Sequence, residues 1–268
     1  MALFQKIVNG SNGRSSWPQV AGMDQRTNPV PPPKTALITG ASRGLGAALA
    51  RALARRGTRV VLVARGEAEL ARSVASIRES GGEAHALTAD VADKRAVYPL
   101  AGAAADLVGP IELLVNNASE LGPVPLQLLF DTECEELERV LAVNVLGPFR
   151  LSKAVGGAMA LRRSGTILNL SSDAAVNAYA RWGAYSSSKA ALDQLGRVLA
   201  VELAEHDVRV LSVDPGEMNT AMHRDALPDA DPKSLLDPAV VAERIVALLG
   251  RHDLPVGARV ELAREVAV

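Results

Sequence analysis

From Lys34 onward the chain alternates short runs of β-forming apolar residues with longer amphipathic stretches, and this alternation constrains the fold more than any other feature. The strand candidates are Thr35–Thr39, Arg59–Ala64, Ala84–Thr88, Ile111–Val115, Thr166–Leu170, Val208–Val213 and Arg259–Leu262. Several, such as TALIT and RVVLVA, are nearly continuous apolar runs, the pattern of strands buried on both faces of a parallel sheet. Helical periodicity fills the intervals at Gly44–Arg56, Glu67–Ser80, Lys94–Val108, Thr132–Leu161, Gly183–Glu205 and Pro238–Leu249. Strand and helix repeated in this way predict one doubly wound α/β domain over residues 34–268, a seven-stranded parallel sheet with helices on both faces.

Composition narrows the chemistry. Aromatic residues make up only 3% of the 268, so the core must be built from Ala, Val and Leu. The 29 basic and 30 acidic side chains leave a net charge of -1. Nucleic-acid and membrane-surface binding usually need a basic excess, so neither is expected. No run reaches the roughly 18–20 apolar residues that cross a bilayer. The opening MALFQKIVNG is too short and too polar for a secretory signal, which makes the cytoplasm the expected location. The single cysteine, Cys134, cannot form an internal disulfide and reads as a small helix residue rather than a catalytic thiol. Residues 1–33 are rich in Asn, Ser, Gly and Pro and end in Pro31-Pro32-Pro33. They read as a flexible or loosely docked arm, with an expression remnant or a transit segment left open.

The first strand runs into Thr39-Gly40-Ala41-Ser42-Arg43-Gly44-Leu45-Gly46. Glycines at a strand-to-helix turn let the backbone approach a pyrophosphate, and the helix N-terminus presents free N–H groups to the anion. Gly40, Ser42, Arg43, Gly44, Leu45 and Gly46 are therefore cofactor candidates. The second strand ends in Ala64-Arg65, with no carboxylate to accept from a ribose 2′-hydroxyl. Arg43 and Arg65 converging there fit a 2′-phosphate, so NADP(H) is expected over NAD(H); the alternative is two solvated surface arginines. Further along, Tyr185 and Lys189 stand four residues apart, on one face of a helix. An ammonium beside a phenol lowers its pKa from about 10, so the pair can exchange a proton with a carbonyl or alcohol oxygen.

Beyond these pieces, the order and spacing of several motifs resemble the short-chain dehydrogenases/reductases. They are TGASRGLG (Thr39–Gly46), Asp90-Val91, NNAS (Asn116–Ser119), VNVLGPF (Val143–Phe149), ILNLSS (Ile167–Ser172), YSSSK (Tyr185–Lys189) and DPGEMNT (Asp214–Thr220). The resemblance runs from Lys34 to about Leu262 and implies a Rossmann-type domain with a catalytic tetrad of Asn144, Ser172, Tyr185 and Lys189. It implies that Ser172 bonds the substrate oxygen, Tyr185 is the general acid, Lys189 binds the nicotinamide ribose, and Asn144 holds a relay water. It further implies that Asp90 and Val91 flank the adenine, that Asn116, Asn117 and Ala118 line the cofactor, and that Pro215, Gly216 and Thr220 flank the nicotinamide. A homodimer or homotetramer, packed through Thr132–Leu161 and Gly183–Glu205, is implied as well.

Ser171 is set aside as catalyst, because one step along a strand turns it to the other face. Three positions depart from the family pattern: Ser119 for the usual Gly, Glu217 after Pro215-Gly216, and Gly257–Leu262 without the glycine pair often found there. For substrate, the stretch Met218–Asp237 reads as a lid with a short helix. Met218, Met222, His223 and Trp182 are its wall candidates, and Asp173, Asn177 and Tyr179 its polar ones; for His223 a solvated loop histidine is the alternative. No His, Cys and carboxylate spacing suits a metal, so none is expected. The expectation is an NADPH-dependent enzyme reducing a ketone or aldehyde to an alcohol. The oxidative direction and a non-catalytic NADP-binding sensor are the alternatives.

Overall fold

The computed structural model describes residues 31–262; most of the expected N-terminal arm, residues 1–30, lies outside that range, as do residues 263–268. The described residues form a seven-stranded, all-parallel sheet, a single Rossmann-type α/β domain. In chain order the elements are β1 (Thr35–Thr39), α1 (Gly44–Ala54), β2 (Arg59–Ala64), α2 (Glu67–Glu79), β3 (Ala84–Thr88), α3 (Val97–Val108) and β4 (Leu113–Asn116). They continue with α4 (Cys134–Leu141), α5 (Gly147–Arg162), β5 (Gly165–Leu170), α6 (Gly183–Ala204), β6 (Val208–Asp214), α7 (Ala221–Ala226), α8 (Pro238–Leu249) and β7 (Arg259–Glu261). The strand order is β3-β2-β1-β4-β5-β6-β7, so the winding direction reverses between β1 and β4. Ligands of open α/β sheets bind at that reversal, beyond the carboxyl ends of the strands.

Alternate residues of each strand feed two separate cores. Ala36, Ile38, Val60 and Leu62 pack with α1, α2 and α8 on one face. Leu37, Val61 and Val63 pack with α3 and α5 on the other. The apolar runs of the sequence follow from this double burial. The largest fully buried side chains are all Leu, Ile or Met, as the shortage of aromatics requires.

Two elements depart from the expected boundaries in an instructive way. The stretch Thr132–Leu161 is not one helix: α4 passes through a π turn at Ala142–Leu146 before α5 begins. Pro148 has no N–H to close an α-helical bond to the Asn144 carbonyl, so the ladder must shift there. Gly147 then passes so close to Val91 that a Cβ would stand 2.9 Å from the Val91 carbonyl oxygen. Helix α3 begins at Val97 rather than Lys94, because Asp90 and Asp93 instead accept the N–H groups of Ala92 and Arg95 (2.9 and 2.8 Å) in tight turns.

Candidate active site

The turn after β1 is built for close approach. Gly40 and Gly44 have φ of +65 and +58, a region that disfavours side chains. A Cβ on Gly40 would meet Ala118 Cα at 2.8 Å, and one on Gly46 would meet the Gly40 carbonyl oxygen at 2.4 Å. Asn117 braces the turn by donating from Nδ2 to the carbonyls of Thr39 (2.8 Å) and Gly40 (3.1 Å). Thr39 Oγ1 in turn accepts the N–H groups of Asn117 and Ala118, each at 3.0 Å. No side chain caps α1, so its first N–H groups open into the cleft above the turn.

That cleft holds most of the cofactor candidates. Gly40, Ser42, Arg43, Gly44, Leu45, Arg65, Asp90, Val91, Asn117, Ala118, Tyr185, Lys189, Pro215 and Thr220 all line it. Gly46 lies behind the turn as a packing residue, and Gly216 lines the neighbouring pocket instead. Asn116 differs from the expectation: its side chain is buried and donates to Asn169 Oδ1 (2.8 Å) and Ser152 Oγ (3.3 Å), away from the cleft. On a strand, neighbouring residues face opposite ways, and Asn116 is the last residue of β4. Thr220 lines the cleft while its hydroxyl accepts the His223 N–H (3.2 Å), capping α7.

Sequence reasoning missed an ionic cluster on the cleft rim. Arg139, from α4, donates to Asp90 Oδ2 (3.0 Å) and to Glu120 Oε2 (3.2 Å), and Arg65 lies 3.7 Å from the same Glu120 oxygen. Burial by itself would raise the Asp90 pKa, but the Ala92 N–H and Arg139 outweigh it and hold the carboxyl below its usual range. No spacing signal could have found this cluster, since its members come from four separate segments.

The tetrad candidates converge from three elements. Ser172 follows β5, Tyr185 and Lys189 sit on α6, and Asn144 lies in the π turn. Lys189 is buried and donates to the Leu170 carbonyl (2.7 Å), with Nζ 5.5 Å from the Tyr185 ring centre. Trp182 stacks edge-on against the Tyr185 ring at 5.8 Å. Asn144 donates to Glu120 O (2.8 Å) and Ser188 Oγ (2.9 Å), and accepts from Glu120 N (2.8 Å). Both amide N–H groups are thus used on protein partners, neither of them Lys189. Ser171 also lines the cleft, but its buried hydroxyl is engaged in donating to Asp193 Oδ2 (2.8 Å).

The titration of Tyr185 runs opposite to the expectation from its spacing to Lys189. Part of the ring surface stays open to the cleft, yet burial of the hydroxyl dominates and pushes its pKa up to about 12. The hydroxyls of Ser172 and Ser119 act in the other direction, and the carboxylates of Asp214 and Asp173 reinforce the rise. Ser119 Oγ meets no partner at strict hydrogen-bond geometry, but it lies near enough to Tyr185 to favour the phenolate. Burial also lowers Lys189 to about 8, partly offset by the charge of Asp193. The ammonium is engaged by the Leu170 carbonyl, which is why the spacing alone misjudged its hold on the phenol.

A second pocket, of about 330 Å³, opens on the far side of Tyr185. Asp173, Tyr179, Trp182, Met218, Met222 and His223 all line it; Asn177 does not. Glu217 and Leu227 line it too. Ser171, Tyr185, Pro215, Met218, Thr220 and Met222 border both spaces, so the phenol stands where the cleft and the pocket meet. The expected lid contains α7 and a short turn at Pro232–Ser234. Beneath the site, Arg259 of β7 donates to Asp193 Oδ2 (2.9 Å), Asp214 Oδ2 (3.2 Å), Glu261 Oε1 (2.7 Å) and the Ser172 carbonyl (2.8 Å). This anchor was also missed. Cys134 is exposed, and among the described residues no group of His, Cys, Asp and Glu could hold a metal. No helix among them is long and apolar enough to cross a membrane.

A glycine turn at the reversal of a parallel sheet, opening onto a Tyr-Lys pair, defines a dinucleotide-dependent oxidoreductase. Comparison with known proteins agrees. The chain matches the short chain dehydrogenase family over residues 34–231. It is 39% identical over 189 residues to a 2,3-dihydro-2,3-dihydroxybenzoate dehydrogenase of Bacillus subtilis, covering 70% of this chain and 71% of that one. A Shigella flexneri short chain dehydrogenase complexed with NADP superposes with a TM-score of 0.80 at 27% identity, over 86% of this chain and 97% of that one. An NAD+-bound xylitol dehydrogenase superposes at 0.76 with 29% identity, over 85% and 96%. The chain therefore belongs to the short-chain dehydrogenase/reductase family, as an NAD(P)(H)-dependent oxidoreductase acting on a carbonyl or alcohol group.

Proposed function

We propose that this chain reduces a ketone or aldehyde to an alcohol with NADPH, and that Tyr185 supplies the proton. The observation that carries the reading is a phenol at the junction of the two pockets, held protonated by burial, with the hydroxyls of Ser172 and Ser119 facing it. A phenol in that state is a donor, and an alkoxide forming beside it is far the stronger base. Ser172 bonds the substrate oxygen and steadies the charge that develops there. Lys189 keeps its ammonium under the phenol and is placed to bind ribose hydroxyls. Asn144 locks the loop at Glu120 and the π turn against Ser188, which fixes the floor between Lys189 and the cleft.

The residues present fit a dinucleotide: without side chains at Gly40 and Gly46 the turn folds tightly against Ala118 and Asn117, and the uncapped start of α1 behind it suits a pyrophosphate. When bound, the reduced nicotinamide supplies the hydride. Arg43 and Arg65 on the rim favour the 2′-phosphate of NADP(H) over NAD(H); Asp90, Val91 and Ala118 frame the adenine side. Titration of both cofactors tests this, and equal or tighter binding of NADH would refute it. Leu146, Phe149, Val198 and Val201 stand exposed on the outer faces of the π turn, α5 and α6, and support a homodimer or homotetramer. Sedimentation as a monomer would refute that. A cytoplasmic location belongs to the same reading, resting on the lone cysteine. For the mechanism, Tyr185→Phe should abolish nearly all NADPH oxidation on a carbonyl panel while leaving NADPH binding intact; retained turnover would defeat it.

A further inference from the structure

The pocket beyond Tyr185 has a charge pattern that proton transfer does not require. Three carboxylates line it, Asp173, Asp214 and Glu217, and no Lys or Arg does among the described residues. Asp214 is offset by Arg259 at 3.2 Å. Asp173 is not offset: its carboxylate accepts from Ser172 Oγ (3.1 Å) and the Tyr179 hydroxyl (2.7 Å), and neither donor is a cation. Glu217 is exposed, and neither it nor Asp173 has an ion-pair partner among the described residues. The two charges act on one spot, since Asp173 first and Glu217 after it hold the Tyr179 phenol above its ordinary pKa. Trp182 and Tyr179 add aromatic surface, whose faces attract cations. His223 also lines the pocket, but both its ring nitrogens are shielded from solvent, so the polar atoms open to an incoming group are chiefly the carboxylates.

Resting on the carbonyl-reductase reading, we infer that the substrate is a ketone or aldehyde bearing an ammonium group. Its carbonyl meets Tyr185 and Ser172, and its cationic end faces Asp173 and Glu217. A carboxylate or phosphate in that place would face two unneutralised charges of its own sign. Glu217 stands where the family more often has an apolar residue, which makes this preference a property of this chain.

Three ring ketones of one shape test the inference: an N,N-dimethylpiperidinium ketone, its uncharged gem-dimethylcyclohexanone isostere, and the matching cyclohexanone carboxylate. Two carboxylates near a partly open pocket should favour the cation over its isostere by about fivefold at low salt, with the anion weaker still. This order is read in kcat/KM with NADPH, and in Kd by calorimetry on the NADP+-loaded protein. Glu217→Lys should reverse the cation and anion, and added salt should narrow the gap. A flat or inverted order in the wild-type protein, no binding of the cation at millimolar concentration, or an order that Glu217→Lys leaves unchanged would overturn the inference. The expected order in Kd without turnover on any ketone would uphold the pocket's preference for a cation and defeat the reductase reading, and with it the ketone, instead.

Discussion

Replacing Arg259 by Leu should strongly destabilise the fold, and the cost should depend on pH. The Arg259 side chain is 12% exposed and pairs with Asp193 and Asp214, whose side chains are 1% and 8% exposed. Removing one partner of a buried pair typically costs about 3–5 kcal/mol, because the remaining charge stays buried and unpaired. A carboxylate can evade part of that by binding a proton. From an unfolded pKa near 3.9, protonation costs about 1.4 kcal/mol per pH unit, hence about 4 kcal/mol at pH 7 but only about 1.5 at pH 5. The sign follows from Asp214, which burial already raises above its ordinary value despite the Gly216 N–H and Arg259. Without Arg259 the Asp214 carboxyl rises further. A raised carboxyl pKa costs nothing below the unfolded value and destabilises increasingly as pH climbs. Urea unfolding of Arg259→Leu at pH 7 should thus show a loss of about 3–5 kcal/mol, a fall in Tm on the order of 10 °C, and a smaller loss at pH 5. Adding Asp193→Asn should recover part of it. A loss under about 1 kcal/mol at pH 7, or one that does not shrink toward pH 5, would refute the reasoning.

Further outcomes follow from the same geometry. Gly46→Ala drives a Cβ into the Gly40 carbonyl oxygen and Asn117 Nδ2, at 2.4 and 2.5 Å, so it should lose about 1–3 kcal/mol and weaken NADPH binding more than tenfold, read by melting and fluorescence titration. Lys189, lowered by burial to about 8, is charged below that pH and neutral above it. The kcat/KM for reduction should therefore fall as pH rises through about 8, with no such break in the residual rate of Lys189→Met. Because the unfolded chain binds this proton up to 10.5, the stability contribution of the group should rise with pH between about 8 and 10.5, visible as a difference between wild-type and Lys189→Met melts. Arg65→Ala should narrow the ratio of NADPH to NADH affinity by about tenfold, since it removes one of two rim guanidiniums; an unchanged ratio would assign the 2′-phosphate elsewhere.

What the sequence revealed, and what it hid, divides along physical lines. Strands β1, β2, β5 and β6 were legible within a residue or so, because burial on both faces leaves an apolar signature that needs no partner to interpret. The Gly40–Gly46 turn was legible for the same local reason: backbone that must approach another chain segment excludes side chains. The break inside Thr132–Leu161 was not read, although Gly147-Pro148 marks it, since helical periodicity continues through a π turn with only a shift of phase. Pairings over long sequence separation were illegible. Arg139 to Asp90, Arg65 to Glu120 and Arg259 to Asp193 each span from about fifty to sixty residues or more, and no periodicity connects them. The Tyr185 titration was misjudged because spacing reports a neighbour and says nothing of burial.

Arg259 shows how such a gap can still leave a trace. The chain lacks the glycine pair near its last strand, a departure with no evident local meaning. In the fold, β7 pairs with β6 so that Arg259 stands beside Ser212 and reaches the ends of both β5 and β6. Its guanidinium joins the Ser172 carbonyl, the Asp214 carboxylate under the turn at Gly216, and Asp193 one helical turn after Lys189. One buried cation therefore ties together the strand end that carries Ser172, the turn that closes the cleft, and the helix that carries Tyr185 and Lys189. A strand built of glycine at that point could approach closely but could not balance two buried carboxylates. The charge arrangement lets Asp193 and Asp214 stay buried beside the site, where the Asp214 carboxylate adds to the rise that burial imposes on the Tyr185 phenol.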